Sequence, residues 1–226
     1  MALQSAIVDL DGTMVDTLGD FVVALNATLA DMHLPSVGRD FIAETIGRGS
    51  EHLLRTTLAT LRADAALYDD AWARYQHHYR AINGEYANVF DGVAEGLEWL
   101  AAHALPLACL TNKPTAFAQA LLARKGLHRH FRFVFGGDAF ERRKPDPLPL
   151  LKACEALGTP PHATLMVGDS SNDARAARVA GCPVVLVTYG YNHGQPVRDV
   201  DADAFVDRLD ALPQTGFDWP SRASLS

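Results

Sequence analysis

Five short, largely unbroken apolar runs constrain this chain more than any other feature: Ala6-Ile7-Val8 and residues 105–110, 131–135, 163–167 and 183–187. A strand with one wet face alternates apolar and polar side chains. A run without alternation needs cover on both faces, as in a parallel sheet enclosed by helices. Helical patterns at 115–124, 147–157 and 172–180 separate the later runs, and Gly181 follows the last of them, where a left-handed C-cap is wanted. Parallel neighbours need crossovers of this length, and such crossovers are right-handed, so the pattern predicts an open, doubly wound α/β sheet. A chain of 226 residues buries about 70% of its unfolded surface, enough to fold without a disulfide or structural metal.

One connection breaks the rhythm. Asp9 and Thr111 are 102 positions apart, far more than one crossover needs. Within that stretch Leu18, Phe21, Val22, Leu25, Leu29 and Met32 keep a helical period, as do Leu53, Leu54, Thr57, Leu58 and Leu61, and then Trp72, Tyr75, Tyr79 and Ile82. These helices have apolar faces to bury and no strand beside them in sequence. Residues 16–85 are therefore expected to form an inserted α-helical domain, with residues 1–15 and 86–226 forming the α/β core. Asp16-Thr17 and Asn83-Gly84 mark its two joints. The Trp72, Tyr75 and Tyr79 stripe is read as packing and not as a cofactor box. The tail after Pro213 has no clear periodicity.

Charge and cysteine usage exclude several classes. The formal charge is −7 and the few cations are scattered, so no stripe follows a nucleic-acid backbone. Cys109, Cys154 and Cys182 are far apart and form no Cys-x-x-Cys pair, which fits buried thiols in a reducing compartment. The first residues lack the basic start of a signal peptide, and no run approaches the ~18 apolar residues that span a bilayer. A cytoplasmic protein, with no membrane or nucleic-acid partner, is expected. Whether it is a monomer or a homodimer stays open.

Active sites of doubly wound sheets lie beyond the carboxyl ends of the strands. The first run is followed by Asp9-Leu10-Asp11-Gly12-Thr13 and the second by Thr111-Asn112-Lys113-Pro114. Lys144 lies in the segment after the third, and Gly168-Asp169-Ser170-Ser171-Asn172-Asp173 follows the fourth. One sheet edge would thus gather four carboxylates, a lysine and several hydroxyls. Carboxylates crowded together repel and take up protons unless a cation intervenes. Magnesium prefers such oxygen ligands, completed by water and phosphate. Metal, lysine and hydroxyl together are the equipment for handling a phosphoryl group. The patterns of an ATPase phosphate loop and of a zinc protease helix are absent.

These four segments, in this order, resemble the haloacid dehalogenase superfamily over residues 7–186. The resemblance implies a sheet in which the fifth, fourth, first, second and third runs lie side by side, with the insertion as a mobile helical cap. It implies that Asp9 is the nucleophile that takes up the phosphoryl group, and that Asp11 is the acid and base. Gly12, Thr111, Asn112 and Lys144 would hold the phosphate. Magnesium would be held by Asp9, the backbone carbonyl of Asp11, and Asp169, with Asp173 acting at one remove. Carbon–halogen and phosphonate-cleaving members lack the second aspartate, and the latter use a cap lysine. Here Asp11 is present and residues 16–85 contain no lysine, so neither branch fits. A sugar phosphomutase would use the same four segments. A non-catalytic binding protein on this scaffold would usually have lost Asp9, Asp11 or Lys144.

Three further stretches resemble the phosphoglycolate phosphatase branch: Leu25-Asn26-Ala27, residues 46–52 and residues 188–194. The implied substrate is a small phosphorylated metabolite with a carboxylate at its far end. Arg48 offers a bidentate fork for that carboxylate. Gly47 and Gly49 would free backbone N–H groups beside it, and Ser50 would open a helix whose N-terminus favours an anion. A sugar phosphate, a nucleotide and pyrophosphate are the alternative substrates.

Overall fold

The computed structural model describes residues 2–221. Along the chain, β1 (Ser5–Val8) turns into the two-residue strand β2 (Val15–Asp16), and four helices follow: α1 (Leu18–Asp31), α2 (Arg39–Thr45), α3 (Ser50–Thr60) and α4 (Tyr68–Ile82). The chain returns through β3 (Asn88–Val89) and α5 (Val93–Ala102). The rest alternates: β4 (Leu107–Leu110), α6 (Thr115–Arg124), β5 (Phe133–Phe135), α7 (Leu148–Leu157), β6 (Thr164–Gly168), α8 (Ser171–Ala180), β7 (Val184–Val187) and β8 (Ala204–Val206).

Six strands form one sheet in the order β5-β4-β1-β6-β7-β8, with every neighbouring pair parallel. The five runs read from the sequence take the implied order, and β8 adds an edge beside β7. That sixth strand escapes a hydrophobicity reading because it is three residues long and follows an acidic stretch with Asp199, Asp201 and Asp203. β4 and β5 start two residues later than their apolar runs, since Leu105 and Phe131 are buried in the preceding turns without joining the ladder. Cover on both faces is explicit in β1. Ala6 and Val8 enter the core shared with Leu97, Leu121 and Leu209, whereas Ile7 enters the opposite one with Leu150 and Ala177.

The helices α1 to α4 bury a third core of their own, in which Phe21, Leu25, Leu53, Tyr75 and Tyr79 are central and to which Phe117 of α6 contributes. The aromatic stripe of α4 is packing, with Tyr75 and Tyr79 buried and their ring centroids 5.5 Å apart. The helix α2 has no counterpart in the periodicity, because only Ile42 and Thr45 of its seven residues are buried. β2 and β3 pair antiparallel, so the chain enters and leaves the helical segment as one short ribbon. Asp20 braces the return. Its buried carboxylate accepts from the N–H groups of Gly84 at 2.6 Å and Tyr86 at 2.8 Å. The three cysteines are buried and free. No helix among the described residues is long and apolar enough to cross a membrane.

Candidate active site

Sheet register brings distant segments together. Val8 lies opposite Cys109 of β4 and Val167 of β6, so the residues just past these strands meet at one edge. Asp9, Thr111 and Asp169 stand there, all buried. Lys144 arrives from the segment between β5 and α7. Its ammonium donates to Asp173 Oδ1 at 2.7 Å and to the Leu110 carbonyl at 2.9 Å, and lies 3.0 Å from Asp9 Oδ1. Asp173 is fully engaged. Its Oδ2 accepts from the N–H of Ser170 at 3.1 Å and its hydroxyl at 2.8 Å. Asp173 therefore fixes the start of α8 and orients Lys144. Gly12 has φ +81°, and a Cβ there would overlap Asp169 Oδ2, so this position requires glycine on both counts.

One oxygen from each of Asp9, Asp169 and Asp173 lies within 4.8 Å of the other two. Lys144 forms an ion pair with Asp9 Oδ1 without hydrogen-bond geometry, so that buried oxygen accepts no hydrogen bond. A buried oxygen that accepts no hydrogen bond, among converging carboxylates, fits a hard divalent cation. The electrostatics agree. Burial raises the pKa of Asp9 to about 7, with Asp173 adding to the rise and Lys144 opposing it. Burial, then Asp173 and Asp9, hold the carboxyl of Asp169 well above its ordinary value. Burial works against the charge on Lys144, but Asp173 and Asp9 outweigh it and raise its pKa.

This predicts a pH signature. The metal-free folded chain keeps a proton on Asp9 where an unfolded aspartate, at 3.8, has lost it. The folded state then binds more protons, and its stability falls as pH rises from 3.8 to about 7. Asp9→Asn removes that dependence. In thermal melts without metal, the variant is expected to gain on the wild type across this interval, and excess magnesium is expected to narrow the gap. A gap that does not change with pH would contradict the raised pKa.

Asp11 sits outside the carboxylate cluster. Its Oδ1 accepts from Thr17 Oγ1 at 2.7 Å and from Lys113 Nζ at 2.6 Å. Asn112 uses its side chain as a clamp, donating to the carbonyls of Lys144 at 2.9 Å and Gly47 at 3.0 Å. Asn172 donates to the same Gly47 carbonyl at 3.2 Å, so residues 46–50 are docked on the core. A cavity of about 20 Å³ remains between them, with Asp9, Asp11, Gly47, Gly49, Ser50 and Lys113 in its wall. That is room for about one water. Arg48 is not in the wall. With Gly47 at φ +97° and Gly49 at φ +89°, the turn directs the Gly47 carbonyl to the core, and Arg48 stands exposed. The fork expected to grip a carboxylate is thus outside this cavity, while Gly47, Gly49 and Ser50 line it.

Several neighbours of the site have no role in the sequence reading, which notes residues 188–194 only for their resemblance. The loop after β7 folds over it: Tyr191 N–H donates to Asp169 Oδ2 at 2.6 Å, and Tyr189 Oη donates to the Thr13 carbonyl at 2.8 Å. Tyr191 Oη donates to Asp16 at the ribbon, which ties Asp169 to the joint of the helical segment. Lys113, between two residues that were assigned or bounded, was left without a role.

Residues 6–187 match the model of the haloacid dehalogenase-like hydrolase family, and the chain belongs to that family. Its likeness is to phosphatases within it. The phosphoglycolate phosphatase of Thiobacillus denitrificans is 42% identical over 212 residues, covering 92% of this chain and 93% of that protein. The plasmid phosphoglycolate phosphatase of Cupriavidus necator is 43% identical over 213 residues, covering 92% and 91%. A crystal structure of a predicted phosphoglycolate phosphatase from Haemophilus somnus superposes with a TM-score of 0.89 at 30% identity, covering 94% of this chain and 97% of that one.

Proposed function

We propose that the chain is a magnesium-dependent phosphomonoester hydrolase that converts 2-phosphoglycolate to glycolate and phosphate through an aspartyl-phosphate. The observation that carries this is the buried Asp9 oxygen that accepts no hydrogen bond, ion-paired with Lys144 and close to two further carboxylates. The names of the relatives support the substrate.

Asp9, Asp169 and the Asp11 carbonyl would hold the cation, with Asp173 acting through its neighbours. Bound there, magnesium supplies positive charge beside Asp9 and the phosphoryl oxygens. Lys144 and Thr111 hold those oxygens and spread their charge. Asp9 attacks phosphorus as the ester P–O bond breaks, and Asp11 gives the leaving alkoxide a proton. Asp11 then takes a proton from water, which attacks the aspartyl-phosphate, freeing Asp9 and releasing phosphate. Both described contacts of Asp11 fall on Oδ1, which leaves Oδ2 for these transfers. Residues 16–85 act as a cap that swings about the β2–β3 ribbon and excludes bulk water when docked.

The test is phosphate release from 2-phosphoglycolate, glucose 6-phosphate, a nucleoside monophosphate and pyrophosphate, with magnesium and with EDTA. The highest kcat/KM is expected for phosphoglycolate, with activity lost in EDTA and restored by magnesium. A higher value on another ester would overturn the substrate. Full activity in EDTA would overturn the metal.

A further inference from the structure

Lys113 is a buried cation that the four family segments leave unused. Its side chain is 2% exposed, which is costly for an ammonium unless paired. Its partner is Asp11, at 2.6 Å. The cap completes its surroundings, for the ring centroids of Phe21 in α1 and Tyr79 in α4 lie 4.7 and 4.9 Å from the ammonium. Both lie within cation–π range. Lys113 is the one lysine or arginine in the wall of the 20 Å³ cavity among the described residues, and Asp9 lines the same cavity.

We propose that Lys113 is the specificity residue that binds the second anionic group of the substrate, a carboxylate a short distance from the phosphoryl group. This rests on the phosphoglycolate reading and replaces Arg48 as the anchor. Charge arrangement supports it. Lys144 is matched by Asp9 and Asp173, so it serves the phosphoryl end. Among the described residues Lys113 has one carboxylate at ion-pair distance, Asp11, which that reading needs free for proton transfer, while Asp20 acts on it from farther off. An incoming carboxylate takes Asp11's place beside the ammonium and keeps the buried charge paired. A neutral tail cannot do so, and breaking the Lys113–Asp11 pair for it leaves the cation uncompensated. The aromatic faces belong to the cap, so the anchor is assembled only when the cap is docked.

The test compares 2-phosphoglycolate with 2-hydroxyethyl phosphate, which has the same chain length and a neutral hydroxyl at its end. The wild type is expected to prefer the carboxylate ester by at least ~100-fold in kcat/KM, a floor below the ~10⁴-fold reached by sites built around a specific polar partner. Lys113→Met keeps the stem and removes the charge. It is expected to slow both esters through Asp11 and to collapse the preference to a few-fold, mostly through KM for phosphoglycolate. Lys113→Arg is expected to restore most of the preference. Should the Met variant not fold, judged by circular dichroism, Lys113→Gln carries the same expectation. A preference that survives loss of the charge, with both esters slowed equally, overturns the role of Lys113 and leaves the substrate reading standing. A wild type without preference overturns both.

Discussion

Asp9→Asn is expected to fold like the wild type and to lose turnover by about 10⁴- to 10⁶-fold, the scale seen when a nucleophile is removed from a group that acts as a unit. The substitution changes one atom and leaves the backbone alone, where Asp9 N–H donates to the Val167 carbonyl at 2.9 Å. Thr111, Lys144 and Asp173 keep their contacts, so a phosphate ester should still be held. What disappears is the carboxylate oxygen that attacks. An amide oxygen is too poor a nucleophile to replace it, and the amide nitrogen offers no lone pair to a cation. The measurement is single-turnover phosphate release, with circular dichroism to verify the fold. Trapping with a radiolabelled ester adds a second readout, since the wild type should carry acid-stable label on Asp9 and the variant none. Turnover at the wild-type rate in Asp9→Asn would mean that water attacks the ester directly, and the covalent route would be abandoned.

The core site was legible because polar residues interrupt apolar runs at strand ends, and sheet register then does the assembly. Asp9, Thr111 and Asp169 need no side-chain detail to be placed together, only parallel strands in the right order. What stayed hidden depends on direction and on partners. Arg48 and Gly47 are adjacent, yet the positive φ of the glycines sends one outward and docks the carbonyl of the other. Composition does not reveal that. Lys113 follows Asn112 directly in a bend beyond β4, where no strand alternation foretells the direction of either side chain. Asn112 clamps the 46–50 loop while Lys113 reaches Asp11, a division visible only when Phe21 and Tyr79 are known to surround the ammonium. Within residues 188–194, Tyr191 works partly through its backbone N–H, a group every residue but proline owns. Its spacing from Asp169 carries no signal.

Lys144→Met is expected to cost about 3–5 kcal/mol of stability at neutral pH without metal, the range for breaking a buried pair from one side. The side chains of Lys144 and Asp173 are 2% and 1% exposed, and Asp9 lies against the same ammonium. With the charge gone and the stem retained, little packing is lost, but Asp9, Asp169 and Asp173 face one another without a cation. Protonation of Asp9 and Asp169 then relieves the repulsion, so the deficit should shrink as pH falls through the raised range of Asp9, about 7, and below it. A divalent cation offers another relief. Magnesium should raise the melting temperature of the variant more than that of the wild type, while turnover stays low because the phosphoryl oxygens have lost their lysine. Chemical denaturation at several pH values, with and without magnesium, separates these effects. A variant as stable as the wild type at neutral pH without metal would mean that the carboxylates are already relieved by protons. The ammonium would then serve the substrate alone, and the balance of charge assigned to this edge of the sheet would have to be redrawn.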